Sequence, residues 1–172
     1  MQPYEPMPVP DALNPEVRRF LDEELARIAL MVNDANDGRM YGGLSQSTSQ
    51  ALNVTGTPQR LPFNTVEPSR GVIPDAANDE FTVTQGGVYL LNFSTNFAVT
   101  NQVVLTFELY VNGLPSGRTL AAVEADTAIG SGSVGAQSLE TADGGSVLSL
   151  YVSCNPDRNV TFNNTQFFVT RL

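Results

Sequence analysis

The residue types able to do chemistry in this 172-residue chain are few. Eighteen are acidic and nine are basic, for a net charge of -9. Every basic residue is an arginine; lysine, histidine and tryptophan are absent, and Cys154 is the single cysteine. No Ser-His-Asp or Cys-His pair can be built from this set, no lysine can form a Schiff base, and no His/Cys zinc site fits within one chain. Carboxylates remain. Glu67, Asp75, Asp79, Glu80, Glu108, Glu124, Asp126, Glu140, Asp143 and Asp157 could in principle form the acid–base pair of a glycosidase. Nearly all of them fall in expected turns or on polar strand faces, where solvated surface charge is the simpler expectation. Neither a catalytic residue nor a cofactor is assigned.

The other chemical motifs are weak. Asn33–Gly38 is superficially like a calcium loop but lacks the alternating acidic positions and the downstream bidentate glutamate, so no metal ligand is assigned. Gly130, Gly132 and Gly135 are followed by neither a helix nor Lys-Ser/Thr, so they are no phosphate loop; they are expected to permit close strand packing or a bend. Four sequons, at Asn53, Asn92, Asn159 and Asn163, are expected to be polar strand faces in a chain rich in Asn, Ser and Thr. Cys154 follows Leu148, Leu150 and Val152 on an apolar face and is expected to be a small buried hydrophobe. A pI near 4.3 argues against nucleic acid as a partner. No window approaches the roughly 18 apolar residues of a membrane span, so no membrane insertion is expected. The start of the chain lacks the basic and apolar regions of a secretory signal, and synthesis in a reducing cytoplasm is the expectation.

The elements that must position these residues fall into three zones. Residues 1–13 carry prolines at 3, 6, 8 and 10, which fix φ and remove N–H groups, so they read as an extended arm. It is either a free tail or a docking peptide that buries Tyr4, Met7 and Val9 in a partner. Asn14-Pro15 then reads as an N-cap with proline in the first turn. Val17, Leu21, Leu25, Ile28 and Val32 recur at helical spacing, widened by Phe20, over a helix at 14–33. Its apolar stripe needs a cover, from its own domain, from other copies or from a partner. Glu23 and Arg27 are placed to pair at i,i+4. Residues 34–59, with Gly42-Gly43 and Ser45-Gln46-Ser47-Thr48-Ser49-Gln50, read as a flexible linker.

Farther on, the period changes to two. Tyr89, Leu91, Phe93, Thr95, Phe97 and Val99 alternate with polar residues, and so do Val103, Leu105, Phe107, Leu109 and Val111. Leu148, Leu150 and Val152 continue the pattern, with Val160, Phe162 and Phe167–Val169 near the end. Gln85-Gly86-Gly87, Asn112-Gly113, Pro115-Ser116-Gly117, Asp143-Gly144-Gly145 and Asn155-Pro156-Asp157 read as turns. The expected fold is mainly β: an antiparallel sandwich over residues 60–172, preceded by one amphipathic helix.

The order of these pieces carries a resemblance. Glu80-Phe-Thr-Val-Thr-Gln-Gly-Gly-Val-Tyr-Leu-Leu-Asn-Phe93 resembles the strand–turn–strand signature of complement globular heads and tumour-necrosis-factor-like jelly rolls. Phe107–Gly113 resembles the next strand with its Asn-Gly turn. Ser131 to Val152 and Phe162–Leu172 resemble the later strands. The turn here is Asp143-Gly144-Gly145 where that family has Gly-Asp, no collagen-like stalk precedes the head, and no calcium ligands match. The resemblance implies a homotrimer serving as a binding or structural module, with no catalysis. The arm, the helix Pro15–Ile28, the linker and the jelly roll together are also similar in layout to small virion proteins of tailed bacteriophages. That likeness implies a short fibre at the tail or head–tail junction, anchored to other virion proteins through residues 1–33, with a host-surface glycan or protein as its target. A capsid decoration or head-fibre protein is the alternative within that class. A soluble lectin-like or protein-binding module is the alternative outside it, and a carboxylate-based carbohydrate enzyme is a third reading.

Overall fold

The computed structural model describes residues 14–37, 40–125 and 130–172. They form two compact units, the N-terminal helix and a β-sandwich over Met40–Leu172.

The helix α1 runs from Pro15 to Asp37, four residues beyond its expected end. Asn14 caps it: its Oδ1 accepts the Glu16 N–H at 2.9 Å, and its carbonyl accepts the Arg18 N–H at 2.9 Å. The first satisfies one of the donors that a helix start leaves orphaned, and the second is the first intrahelical bond. Arg27 pairs with Glu24 at 2.8 Å, while Glu23 lies 3.7 Å from Arg19 and Asp22 lies 4.0 Å from Arg18.

The sandwich comprises β1 (Tyr41–Ser45), β2 (Gln50–Val54), β3 (Gln59–Arg60), β4 (Thr65–Arg70), β5 (Val72–Asp75), β6 (Glu80–Val83), β7 (Gly87–Val99), β8 (Val103–Val111), β9 (Leu114–Ala125), β10 (Gly130–Ala142), β11 (Val147–Asn155) and β12 (Arg158–Arg171). One sheet has the order β10-β7-β12-β1-β4, with β2 also beside β12. The other has the order β5-β6-β11-β8-β9, with β3 beside β11. All pairings are antiparallel. This is a jelly roll.

The period-two pattern places the core where the alternation puts it. Tyr89, Leu91, Phe93, Thr95, Phe97 and Val99 of β7 are all buried, as are Val103, Leu105, Phe107 and Leu109 of β8. Rings stitch the sheets together. Phe93 of the first sheet lies 4.9 Å from Phe107 of the second, and Phe81 of the second lies 5.1 Å edge-on to Phe167 of the first. At such separations aromatic pairs add to the stabilisation from burial alone. Every member of the hydrophobic core cluster lies between Met40 and Val169, so this unit holds a complete core of its own.

Three sequence expectations are corrected. Residues 34–59 are not a linker throughout: the helix reaches Asp37, and β1 sits between β12 and β4, with Leu44 fully buried. The sandwich therefore begins at Met40, not at residue 60. The physical reason is close approach: the Phe168 ring crosses Gly43, where a Cβ would come within 2.4 Å of it. Pro115-Ser116-Gly117 is not a turn but part of β9, where Gly117 has φ +77° and the pairing with β8 slips in register. Such a slip is a bulge. Asn112 and Gly113 do form the tight turn, both at positive φ as a type I′ hairpin needs. Finally, β12 changes phase. Val160 and Phe162 are buried, then Thr165, Phe167 and Val169. A bulge between Asn163 and Gln166, with Asn164 at φ +51°, moves the inward set by one residue and turns Phe168 outward.

The bulge puts Thr165 inside, and its polar groups are satisfied there. Thr165 and Thr95 share a hydroxyl–hydroxyl bond of 2.7 Å, and the Thr165 hydroxyl donates to Gln46 Oε1 at 3.1 Å. The Gln46 side-chain amide donates to the Pro62 carbonyl at 3.2 Å, and its backbone N–H to the Thr165 carbonyl at 2.9 Å.

Candidate functional site

The anchor residues expected on the helix present an apolar stripe. Val17, Phe20 and Ile28 are exposed, and Leu21 and Leu25 are partly so. Val32 lies within α1 but its side chain is outside the described residues, as are Tyr4, Met7 and Val9 altogether.

The carboxylates are dispersed into local structural roles. Asp75 accepts the Ala77 and Asn78 N–H groups at 2.9 and 3.1 Å, which holds the carboxyl below its ordinary range. The largest contribution comes from the Asn78 side-chain amide, at 2.8 Å. Asp79 accepts the Phe63 N–H at 2.6 Å, yet burial outweighs that bond and pushes its pKa up. Glu140 pairs with Arg118 at 2.9 Å, joining β10 to β9 across the open side of the sandwich. Glu67 accepts the Ser45 hydroxyl at 2.6 Å, and Asp157 accepts the Gly56 N–H at 2.9 Å. Among the described residues no group of three or more Cys, Asp or Glu side chains is placed to hold a metal. Asp126 lies outside the described residues. Cys154 is buried, its Sγ donating to the Val54 carbonyl at 2.9 Å, and desolvation raises its thiol pKa. Among the described residues no helix is long and apolar enough to cross a membrane.

Two surfaces stand out instead. The first is the outer face of strands β10, β7, β12 and β1, bordered on β4 by Glu67, which accepts the Ser45 hydroxyl. Alternation points Val88, Leu90, Asn92, Ser94, Asn96 and Ala98 outward from β7, and Ser131, Ser133, Gly135, Gln137, Leu139 and Thr141 outward from β10. Strand β12 adds Thr161, Gln166, Phe168 and Thr170, and β1 adds Tyr41, Gly43 and Ser45. None of these carries a charge, in a chain with 27 charged residues. The face grades from apolar at Val88, Leu90 and Leu139 to amide- and hydroxyl-rich at Asn92, Gln137, Gln166 and Ser94. Two depressions of about 390 and 410 Å³ lie on it, sharing Ser94, Gly135 and Gln166. In the sequence Asn92 reads as a polar strand face, Gly135 as a place of close strand packing or a bend and Phe168 as part of an apolar pattern, with nothing to join them. The signal that would have found them is the lack of charge on four strands at once, visible only when the strands are known to be neighbours.

The second surface is the outer face of the opposite sheet. Tyr110 and Tyr151 stack with ring centroids 3.8 Å apart. Arg60 donates its Nε–H to the Tyr151 hydroxyl at 3.0 Å and pairs with Glu80 at 2.9 Å. The Tyr151 bond is the main reason the Arg60 pKa is raised, and desolvation raises that of Tyr110. This is an aromatic and polar patch that can contact a planar or hydroxyl-bearing partner.

The architecture defines a class of fold: a two-sheet jelly roll of the tumour-necrosis-factor and complement-head type. The chain is similar to the Eiger tumour necrosis factor of S. frugiperda, with a TM-score of 0.59 at 9% identity over 78% of this chain and 93% of that one. It is similar to murine APRIL, with a TM-score of 0.56 at 15% identity over 78% of this chain and 99% of that one. The globular domain of zebrafish complement 1qA gives a TM-score of 0.53 at 13% identity, over 77% of this chain and 96% of that one. At these identities the likeness is one of fold. No protein-family model matches the chain, and none of the curated proteins matches it.

Proposed function

We propose that this chain is a non-catalytic, homotrimeric binding module: a jelly-roll head, Met40–Leu172, carried behind an N-terminal helical anchor. The observation that carries the trimer is the uncharged outer face of strands β10, β7, β12 and β1. Interfaces are depleted of charge at their centres, and a chain of net charge -9 can meet its own copies with least repulsion through a face that has none. The fold supports the same reading, because heads of the type it resembles pack as trimers. With that face turned inward, the Tyr110–Tyr151 and Arg60 patch on the opposite sheet is left for a host-surface glycan or protein.

The finer reading is a short fibre of a tailed bacteriophage, attached at the tail or head–tail junction through residues 1–33. A decoration or fibre protein on the capsid is the nearest alternative. Support comes from the layout: a proline-rich arm, a capped helix with an apolar stripe, and a head that closes its own core. The test is the solution mass of the full chain by light scattering, with purified particles probed for the chain in parallel. Three chain masses and incorporation into particles support the reading; a monomer removes the trimer, and absence from particles removes the fibre.

A further inference from the structure

We infer that a depression at one end of the sandwich, beside Arg158, binds a carboxylate-bearing sugar. It lies where the β7–β8 connection meets the β11–β12 turn, shares no residue with the uncharged sheet face or the Tyr110–Tyr151 patch, and needs no second copy of the chain. Gln102, Val103, Val104, Asn155, Pro156 and Arg158 line about 310 Å³, at the small end of the range for ligand pockets and suited to one sugar unit. Arg158 sets the place apart. Arg60 and Arg118 pair with Glu80 and Glu140 at 2.9 Å, and Arg171 donates to Gln85 Oε1 at 2.9 Å. Among the described residues Arg158 pairs with no carboxylate. Its Nη1 donates to the Asp157 carbonyl at 2.9 Å, and its Nε, though buried, meets no acceptor. A buried donor left unpaired is costly. Nε and Nη2 share one edge of the guanidinium plane, and that edge can grip a carboxylate with two parallel bonds.

The surroundings narrow the ligand. Glu124 accepts a bond from the Gln102 side-chain amide at 3.0 Å, and Asp157, next to Arg158, accepts the Gly56 N–H at 2.9 Å. With these two carboxylates nearby, in a chain of net charge -9, one guanidinium can neutralise a single negative charge but not a doubly charged phosphate. The rest of the lining carries no charge. The side-chain amides of Gln102 and Asn155 can both donate to and accept from hydroxyl groups. Val104, 40% exposed, and Pro156 offer apolar surface to the C–H face of a ring. A carboxylate on a hydroxylated ring uses all three features, whereas a plain fatty or aromatic acid leaves the amides idle.

The test titrates the full chain with sodium glucuronate, glucose, sodium acetate and inorganic phosphate, followed by saturation-transfer difference NMR or, for phosphate, by its competition with glucuronate. The expected result is saturable glucuronate binding, about tenfold or more tighter than that of each of the other three. Arg158→Met should abolish it, and Arg158→Lys, which keeps the charge without the fork, should weaken it by about tenfold. Circular dichroism and a thermal melt confirm that each variant folds. Absence of saturable glucuronate binding overturns the site. Equal binding of glucose overturns the carboxylate, equal binding of acetate overturns the sugar, and equal or tighter binding of phosphate overturns the selection by charge. Glucuronate binding unchanged in a folded Arg158→Met places it elsewhere and overturns the inference. If Arg158→Met does not fold, Val104→Trp, which fills the depression from an exposed strand position, decides: loss of binding supports the site and retention overturns it.

Discussion

The ring of Phe168 lies across the backbone of Gly43 on the outer face of the sheet, with Cε1 2.4 Å and Cδ1 2.6 Å from where a Gly43 Cβ would stand. The two are register partners in the β1–β12 ladder, which holds their backbones side by side. Gly43→Ala should therefore displace the ring and cost about 1–3 kcal/mol, the range for overpacking. Urea unfolding of the variant would measure it. A change within experimental error would mean that the ring swings away freely.

Phe107 sits at the centre of the sandwich, 4.9 Å from Phe93 and 6.3 Å from Phe162, and is fully buried. Truncation to alanine should cost about 3–5 kcal/mol through lost burial and the cavity left behind. Denaturant melts of Phe107→Ala check this. A loss below about 1 kcal/mol would contradict its place in the core.

Asp79 carries a carboxyl whose pKa in the folded chain is raised above its ordinary value of 3.8, chiefly by burial. A raised carboxyl stabilises the fold most when it is protonated, and that contribution is lost as pH rises through the folded pKa. Asn keeps an acceptor for the Phe63 N–H and tolerates the φ of +56° at this position. Asp79→Asn should accordingly be at least as stable as the parent at pH 7, with the difference shrinking as pH falls through the raised folded pKa toward the ordinary value of 3.8. Thermal melts from pH 3 to 7 would show it. A variant less stable at pH 7 than at pH 3, relative to the parent, would contradict the sign.

Leu21 and Ile28 belong to the stripe of α1, a unit separate from the sandwich and its core. Replacing both by Asp should abolish attachment to particles while the melting transition of the head stays where it was. Loss of the head's cooperative transition would place the helix in its core.

The fold was legible where a strand buries one face. Residues 89–99 and 103–111 alternate without interruption because one side of each strand meets the core and the other meets solvent. The turns at Asn112-Gly113 and Asp143–Gly145 were legible from the residues that positive φ demands. What escaped was decided by tertiary contacts. Gly42-Gly43 reads as flexible in isolation, yet it is glycine because Phe168 and Val72 press on it from other strands. The phase change in β12 depends on a single residue, Asn164, adopting a left-handed conformation, which no alternation pattern announces. The uncharged face was hidden for the same reason: its members are scattered over four strands from Tyr41 to Thr170 and become neighbours only in the sheet. The helix was legible by its spacing and cap, but its partner is written in no residue of its own.

The most direct test of the trimer is the solution mass of the intact chain, measured by light scattering at several concentrations beside the Leu21→Asp, Ile28→Asp variant. The account predicts three times the 18.5 kDa chain mass for both, because the uncharged sheet face holds the copies together. A single chain mass for the intact protein, or a trimer that disappears when the helix stripe is broken, would contradict it.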